Sequence, residues 1–360
     1  MATFVPHLQH PIINPFPGIR TLEQQLGHAV PTRIGSNESP PYPAHPVAQL
    51  NLADCAPYYP DPYARDLRQQ LAERWGTNAD CIAVDAGADA LLLLFLRLFC
   101  QVGDAVVLTA GSYPTFPYFA RGCGVSLFEY PYHPKTLQHD LTALAAAAEQ
   151  HQAKLVYVAN PDNPTGSVYS FAEIAAFRAR LPAETFLLLD EAYIDFYQDS
   201  EQGTILPNTA RVRTFSKAYA LAGMRVAYVL AEPEVIAKAD QIRIQFAVSH
   251  PAQLAALAAL ADPAWSRGLV AHSIALRDQL AQALQQLDYC VLPSATNFVC
   301  VALPQIEQAQ AIQRRLWQDG IAIHRPPHPA SAHLLRISAH PAALTPAFLS
   351  VFAAAQRGAL

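Results

Sequence analysis

The feature that most constrains the fold is a series of short segments, apolar at almost every position and separated by longer amphipathic stretches. They are CIAVDAG (residues 81–87), DAVVLTAG (104–111), KLVYVANP (154–161), TFLLLDEAY (185–193), RVRTFSKA (211–218) and RVAYVLA (225–231). A strand with one wet face alternates apolar and polar residues, whereas a near-continuous apolar strand has to be buried on both faces. A sheet covered by helices on both sides meets that demand. Residues 36–240 therefore predict an α/β domain with a mostly parallel sheet. The run ALLLLFLRLF (90–99) contains Arg97 and is shorter than the ~18 apolar residues a membrane span requires, so it reads as a core helix.

Beyond residue 240 the texture changes. An Ala/Leu/Gln-rich helical stretch (252–287) is followed by CVLPSATNFVCVAL (290–303), a helix over 306–319 and LLRIS (334–338), which suggests a smaller α+β domain over 241–360. Residues 1–35 are rich in Pro and polar groups without a clear period and read as an arm lying on something else. A chain of 360 residues with 52% hydrophobic and 15% charged residues can bury two cores and is not disordered. Its formal charge of −5, with scattered basic residues, offers no footprint for nucleic acid. The first residues lack a basic stretch followed by an apolar run, so no signal peptide, no membrane span and a cytoplasmic location are expected. Six widely spaced cysteines read as reduced structural residues.

In open α/β sheets ligands bind beyond the carboxyl ends of the strands, so the residues immediately after each apolar run are the candidates. Gly87-Ala88-Asp89 opens a helix and reads either as a phosphate cradle of backbone N–H groups or as a plain turn. Tyr113 reads as a loop aromatic or a ligand contact. Asp190 comes after three leucines, where a carboxylate is expensive to bury unless something cationic meets it; a helix cap is the alternative. Asn160 to Gly166, NPDNPTG, holds two Asn-Pro steps and predicts a stiff loop that positions a side chain. Lys217, at the end of an apolar strand beside Ser216 and eight residues before Arg225, has the setting that imine chemistry and phosphate binding require.

Together these motifs resemble the fold-type I aminotransferases, and within them the histidinol-phosphate aminotransferase branch, over essentially the whole chain. The resemblance is carried by Ser36-Asn37-Glu38-Ser39-Pro40, Tyr59-Pro60-Asp61, Gly87-Ala88-Asp89, the 160–166 loop, Asp190-Glu191-Ala192-Tyr193, Ser216-Lys217-Ala218 with residues 220–225, and Leu335-Arg336-Ile337. It implies pyridoxal 5'-phosphate as cofactor, held covalently by Lys217, which would also carry the proton of the reaction. Asp190 would pair with the pyridine nitrogen, Asn163 and Tyr193 would bond the phenolic oxygen, and Tyr113 would stack on the ring. The phosphate would be held by Ala88 and Asp89 N–H groups, Ser216, Arg225 and a neighbouring subunit's Tyr59, which implies a homodimer with shared sites. Arg336, with Asn37 and Arg325, would bind the substrate, an amino donor or a 2-oxo acid acceptor; no metal is implied.

The chain departs from the family pattern on the substrate side. Asn14-Pro15-Phe16-Pro17-Gly18 puts Phe16 where the family has a tyrosine for the substrate's far phosphate, Arg325 stands one residue out of register, and Leu335-Arg336-Ile337-Ser338-Ala339-His340 alters the last motif. His324, His328 and His333 read either as solvated loop residues or as a histidine-rich lining that would favour another anionic or aromatic amine. Histidinol phosphate leads as substrate. A decarboxylase of the L-threonine phosphate type would use the same Lys217 and Asp190. A non-catalytic cofactor-binding regulator would carry a DNA-binding segment or lack the lysine, and neither holds here.

Overall fold

A computed structural model of the chain describes residues 3–9, 11–16, 18–198 and 203–358. In chain order the strands are β1 (Thr32–Arg33), β2 (Ile82–Asp85), β3 (Ala105–Thr109), β4 (Ser126–Tyr130), β5 (Leu155–Ala159), β6 (Phe186–Asp190), β7 (Thr209–Thr214), β8 (Ala227–Leu230), β9 (Cys290–Val291), β10 (Phe298–Ala302), β11 (Ile321–Ala322) and β12 (Leu334–Ser338). The apolar segments make one seven-stranded sheet of order β2-β8-β7-β6-β5-β3-β4. Strands β4, β3, β5, β6 and β7 are parallel, while β8 runs antiparallel to β7 and β2. The expected mostly parallel α/β sheet is therefore present.

Both faces of the central strands of that sheet are dry. Along β5, Leu155 and Tyr157 pack with Leu91, Leu92 and Phe95 of the helix Ala88–Phe99. Val156 and Val158 pack on the opposite side with the helices Leu141–Gln150 and Phe171–Arg180. Each such side chain contributes about 1.5–3 kcal/mol on burial, which is why β5 and β6 carry apolar side chains nearly to their ends.

A second sheet of order β12-β10-β9 carries its own core of Leu280, Leu284, Val299, Val301, Leu316 and Phe352. The expected helix over 252–287 is two helices, His250–Ala261 and Pro263–Gln285. Pro263 cannot donate to a continuing helix, and Asp262 caps the second one by accepting from Trp265 N at 3.0 Å. The first 35 residues hold more order than their sequence suggests. Ile19–Leu26 is helical and β1 pairs with β11. Its apolar residues Ile19, Leu22 and Leu26 lie on one half-buried face at helical spacing, a period too short to stand out among the surrounding Pro-rich and polar residues. Among the described residues no helix is long and apolar enough to cross a membrane. The cysteines are unbridged, Cys55, Cys81 and Cys300 being buried and Cys290 exposed.

Glu191, directly after β6, is buried between two buried arginines of β7. It accepts from Arg211 Nε and Nη2 at 3.0 and 2.9 Å and from Arg213 Nε at 2.7 Å. Burial alone would raise its carboxyl pKa, but the two guanidiniums hold it below the ordinary value. A depressed carboxylate stabilises the fold above its unfolded pKa and loses that contribution as pH falls through the folded one. Removing one partner of a buried ion pair costs about 3–5 kcal/mol. Glu191→Ala is expected to cost that much stability at neutral pH, read from the shift of the urea midpoint. A loss under about 1 kcal/mol would mean that the pairing is not what stabilises this strand end.

Candidate active site

The parallel strands all finish at one edge of the large sheet, and the segments that leave them line a cleft of about 330 Å³. β8 runs the other way, so the turn before it, with Arg225, arrives at the same edge. Eleven of the candidates, Asn37, Ala88, Asp89, Tyr113, Asn163, Asp190, Tyr193, Ser216, Lys217, Arg225 and Arg336, line this cleft. Tyr59 and Arg325 do not. Tyr59 is 84% exposed, with its ring on Phe246. Arg325 turns its guanidinium to Gln313 Oε1 at 3.1 Å and Ala332 O at 3.4 Å, away from the cleft. The expectation that Arg325 lines the substrate site is corrected by these neutral acceptors, which already engage it.

The anion end of the cleft is built on Gly87. Its φ of 88° admits glycine, and a Cβ there would meet Arg225 Nη2 at 2.5 Å. The close approach sets the guanidinium beside the start of the helix Ala88–Phe99, where the Ala88 and Asp89 N–H groups have no acceptor among the described residues. Ser216 stands opposite, its hydroxyl accepting from Thr214 Oγ1 at 2.8 Å. Asp89 spans two partners, accepting from the Tyr113 hydroxyl at 2.9 Å and lying 3.6 Å from Arg225 Nη2.

Asp190 lies at the centre. It is buried, and among the described residues its carboxylate accepts only from Tyr157 OH at 2.9 Å and Ala192 N at 3.1 Å. Burial raises its pKa to about 6, against the pull of these two donors. Lys217 reaches Ser36 O with Nζ at 3.2 Å. Desolvation within the cleft, then the Arg336 charge, lowers its pKa to about 8, with Glu38 acting in the opposite sense.

Arg336 enters from β12 of the small sheet. It is buried, donates to Asn163 Oδ1 and Gly35 O at 2.5 Å each, and leaves Nε without an acceptor. No carboxylate pairs with it among the described residues. Because Asn163 uses its oxygen on Arg336, its amide hydrogens remain to face a ligand. Tyr193 OH accepts from Asn37 Nδ2 at 2.8 Å and so keeps its own proton to donate. Asn37 also accepts from Ser338 Oγ at 3.3 Å, so it orients Tyr193 as well as lining the cleft.

Sequence reasoning misses Tyr157, a strand residue whose hydroxyl donates to Asp190; nothing in its spacing marks it. Phe16, in the chain only a departure from the family pattern, lines the cleft with ring contacts to Tyr113 at 6.3 Å and His324 at 5.6 Å. Pro17 of the same motif lies outside the described residues. His324 stays neutral, since burial and then Arg336 and Arg325 push its pKa well down. His328 and His333 are not in the lining: His328 caps the turn Pro329–Ser331, and His333 borders a separate groove. The histidine-rich alternative reduces to the His324 ring behind Phe16.

An α/β sheet edge that gathers a desolvated lysine, a buried carboxylate and two guanidiniums defines an enzyme of amine and carbonyl chemistry. The chain belongs to the class I and II aminotransferases, whose family profile matches residues 47–355. It is 36% identical to an aromatic amino acid aminotransferase of Nocardia farcinica over 75% of this chain and 78% of that protein. It is 34% identical to histidinol-phosphate aminotransferase 2 of Hydrogenovibrio crunogenus over 85% of this chain and 83% of that one. A solved structure of histidinol-phosphate aminotransferase from Sinorhizobium meliloti in complex with pyridoxal-5'-phosphate superposes with a TM-score of 0.89 at 37% identity, covering 100% of this chain and 99% of that one.

Asp190 yields a direct test. A carboxyl whose folded pKa is raised contributes stability below its unfolded pKa and loses it as pH rises through about 6. Cofactor-free Asp190→Asn should therefore be more stable than cofactor-free wild type by roughly 2–3 kcal/mol at pH 8 and by less than about 1 kcal/mol at pH 4. Urea denaturation at the two pH values measures the gain; equal stability at pH 8 would mean that Asp190 is not strained by burial.

Proposed function

We propose that this aminotransferase moves an amino group between glutamate and histidinol phosphate, with the eleven cleft residues holding the cofactor and the substrate. The observation that carries the reading is Arg336, a buried guanidinium with no carboxylate partner among the described residues, in the same cleft as Lys217 and Asp190. A cation so placed is costly until an anionic substrate arrives, and a guanidinium offers a carboxylate two parallel donors.

The enzyme uses pyridoxal phosphate, which supplies an electron sink for the bond beside the substrate's amine. The cleft fits that cofactor. The Ala88 and Asp89 N–H groups, Ser216 and Arg225 would hold its phosphate, and a Cβ at Gly87 would push the Arg225 guanidinium from its place beside them. Asp190 would meet a protonated ring nitrogen, which answers its unpaired burial. The Asn163 amide and the Tyr193 hydroxyl would donate to the ring oxygen, and Tyr113 would lie on the ring. Lys217 would bind the cofactor covalently and, when released, move the proton at the amine-bearing carbon; a pKa near 8 leaves about a tenth of its amine neutral at pH 7, far more than an ordinary lysine offers. An arm (1–35), a cofactor unit (36–240) and a small unit (241–360) belong to the proposal, as does a homodimer in which a second copy supplies Tyr59. The exposure of Tyr58, Tyr59 and Ile244 supports the dimer.

Phe16 favours a second reading. A phenyl ring beside Tyr113 and neutral His324 offers a flat apolar surface and no donor for a distant phosphate, which suits an aromatic amino acid.

Absorbance spectra of the loaded enzyme test both. Loss of the visible cofactor band with L-glutamate, reversed by a 2-oxo acid, is expected. A greater kcat/KM for histidinol phosphate than for phenylalanine supports the first reading, and the reverse order supports the second. Lys217→Ala should abolish turnover. Arg336→Lys should raise the KM for glutamate about a hundredfold, whereas an unchanged KM would assign the carboxylate elsewhere. Covalent uptake of pyridoxal phosphate by cofactor-free protein should quicken with pH and level off above about 8. A rate still climbing at pH 10 would mean that the amine is not desolvated.

A further inference from the structure

Directly behind the cleft, Asp162 is fully buried, and donors from three segments converge on its carboxylate. Oδ1 accepts from Ser112 Oγ at 2.7 Å, in the loop after β3, and lies 3.2 Å from His139 Nε2, ahead of the helix Leu141–Gln150. Oδ2 accepts from Tyr132 OH at 2.9 Å, just after β4, and from Thr165 Oγ1 and N at 2.8 and 3.2 Å. His139 is itself fixed, with Nδ1 2.8 Å from Thr109 Oγ1 and Nε2 2.8 Å from Ala159 O. The backbone of Asp162 is pinned too: its N donates to Ser167 O at 2.8 Å, and its O accepts from Gly166 N at 3.0 Å.

A buried carboxylate with this many donors is well satisfied, and the satisfaction has a direction. Asp162 is bonded away from the cleft, while the next residue, Asn163, lines it and accepts from Arg336 Nη1. Burial alone would raise the Asp162 pKa, but His139, Ser112 and Thr165 bring it below the ordinary value, so the side chain is a fixed anion and not a proton donor.

We propose that Asp162 is a positioning residue for the amino donor: by clamping the 160–166 loop onto the ends of β3 and β4, it sets Asn163 and through it the aim of Arg336. This rests on the reading that Arg336 receives the donor's carboxylate. Asp162 touches neither cofactor nor substrate, and its effect passes through one backbone step and one hydrogen bond. Charge-assisted hydrogen bonds are worth more than neutral ones, so the amide isostere already weakens the clamp on the His139 side.

The test is a double-mutant cycle on the loaded enzyme with L-glutamate as the varied substrate. Asp162→Asn is expected to raise the KM for glutamate about tenfold, a larger factor than any fall in kcat, and Tyr132→Phe should raise it in the same sense by less. In an Arg336→Lys background, Asp162→Asn should add less than about twofold. An unchanged KM in both single variants would overturn the proposal, as would a full tenfold effect persisting in the Arg336→Lys background. A fall in kcat and thermal stability at constant KM would make Asp162 a structural residue only, which also overturns it. If Arg336→Lys itself leaves KM unchanged, the carboxylate assignment fails instead, and the two failures stay distinct.

Discussion

A sheet with no exposed face leaves only its ends for polar chemistry, and the rest of this molecule depends on that constraint. Strands β5 and β6 are covered on both sides by apolar side chains, and a charge within the neighbouring buried strand β7 has to find a buried partner, as Arg211 and Arg213 do in Glu191. Six strands run the same way, β2 among them because it and β7 both oppose β8, and therefore end at the same edge. The segments carrying Gly87, Tyr113, Asn163, Asp190 and Lys217 meet there because each leaves a strand at that edge. The reversed β8 adds Arg225 by starting where the others stop.

The buried charges then divide by how they are satisfied. Glu191 is matched by two guanidiniums, and Asp162 is surrounded by donors and a histidine. Both are complete, and both hold structure in place. Asp190 and Arg336 are not complete: the first has two neutral donors, the second two neutral acceptors and an unused Nε. Folding tolerates such groups where a ligand makes good the deficit, and the incomplete pair stands in one cleft with the lysine.

Much of this is legible in the chain. Near-continuous apolar runs announce a doubly covered sheet because burial on both faces removes the alternation of a half-exposed strand. The residues at the carboxyl end of each run then supply most of the cleft, since strand direction fixes which loops meet. Local pattern is silent where the cause is not local. The helix Ile19–Leu26 carries only three spaced apolar residues and is masked by its Pro-rich and polar surroundings, and the break at Pro263 is hidden by the continuous Ala/Leu texture on either side. Tyr157 looks like any strand aromatic until its hydroxyl is seen on Asp190.

The sequence by itself determined the α/β class, the sheet edge that carries the site and the residue types on it, because hydrophobic period and strand-end position are properties of short segments. Tertiary structure alone decided which of two nearby arginines faces the cleft. Arg325 and Arg336 are equally plausible in the chain, but Arg336 lies within β12, pairing with Cys300 of β10 and aimed at Asn163, while Arg325 is drawn off by Gln313. It also decided that Asn37 orients Tyr193 from 156 positions away. Such pairings depend on the register and packing of segments distant in sequence, and no local pattern records them.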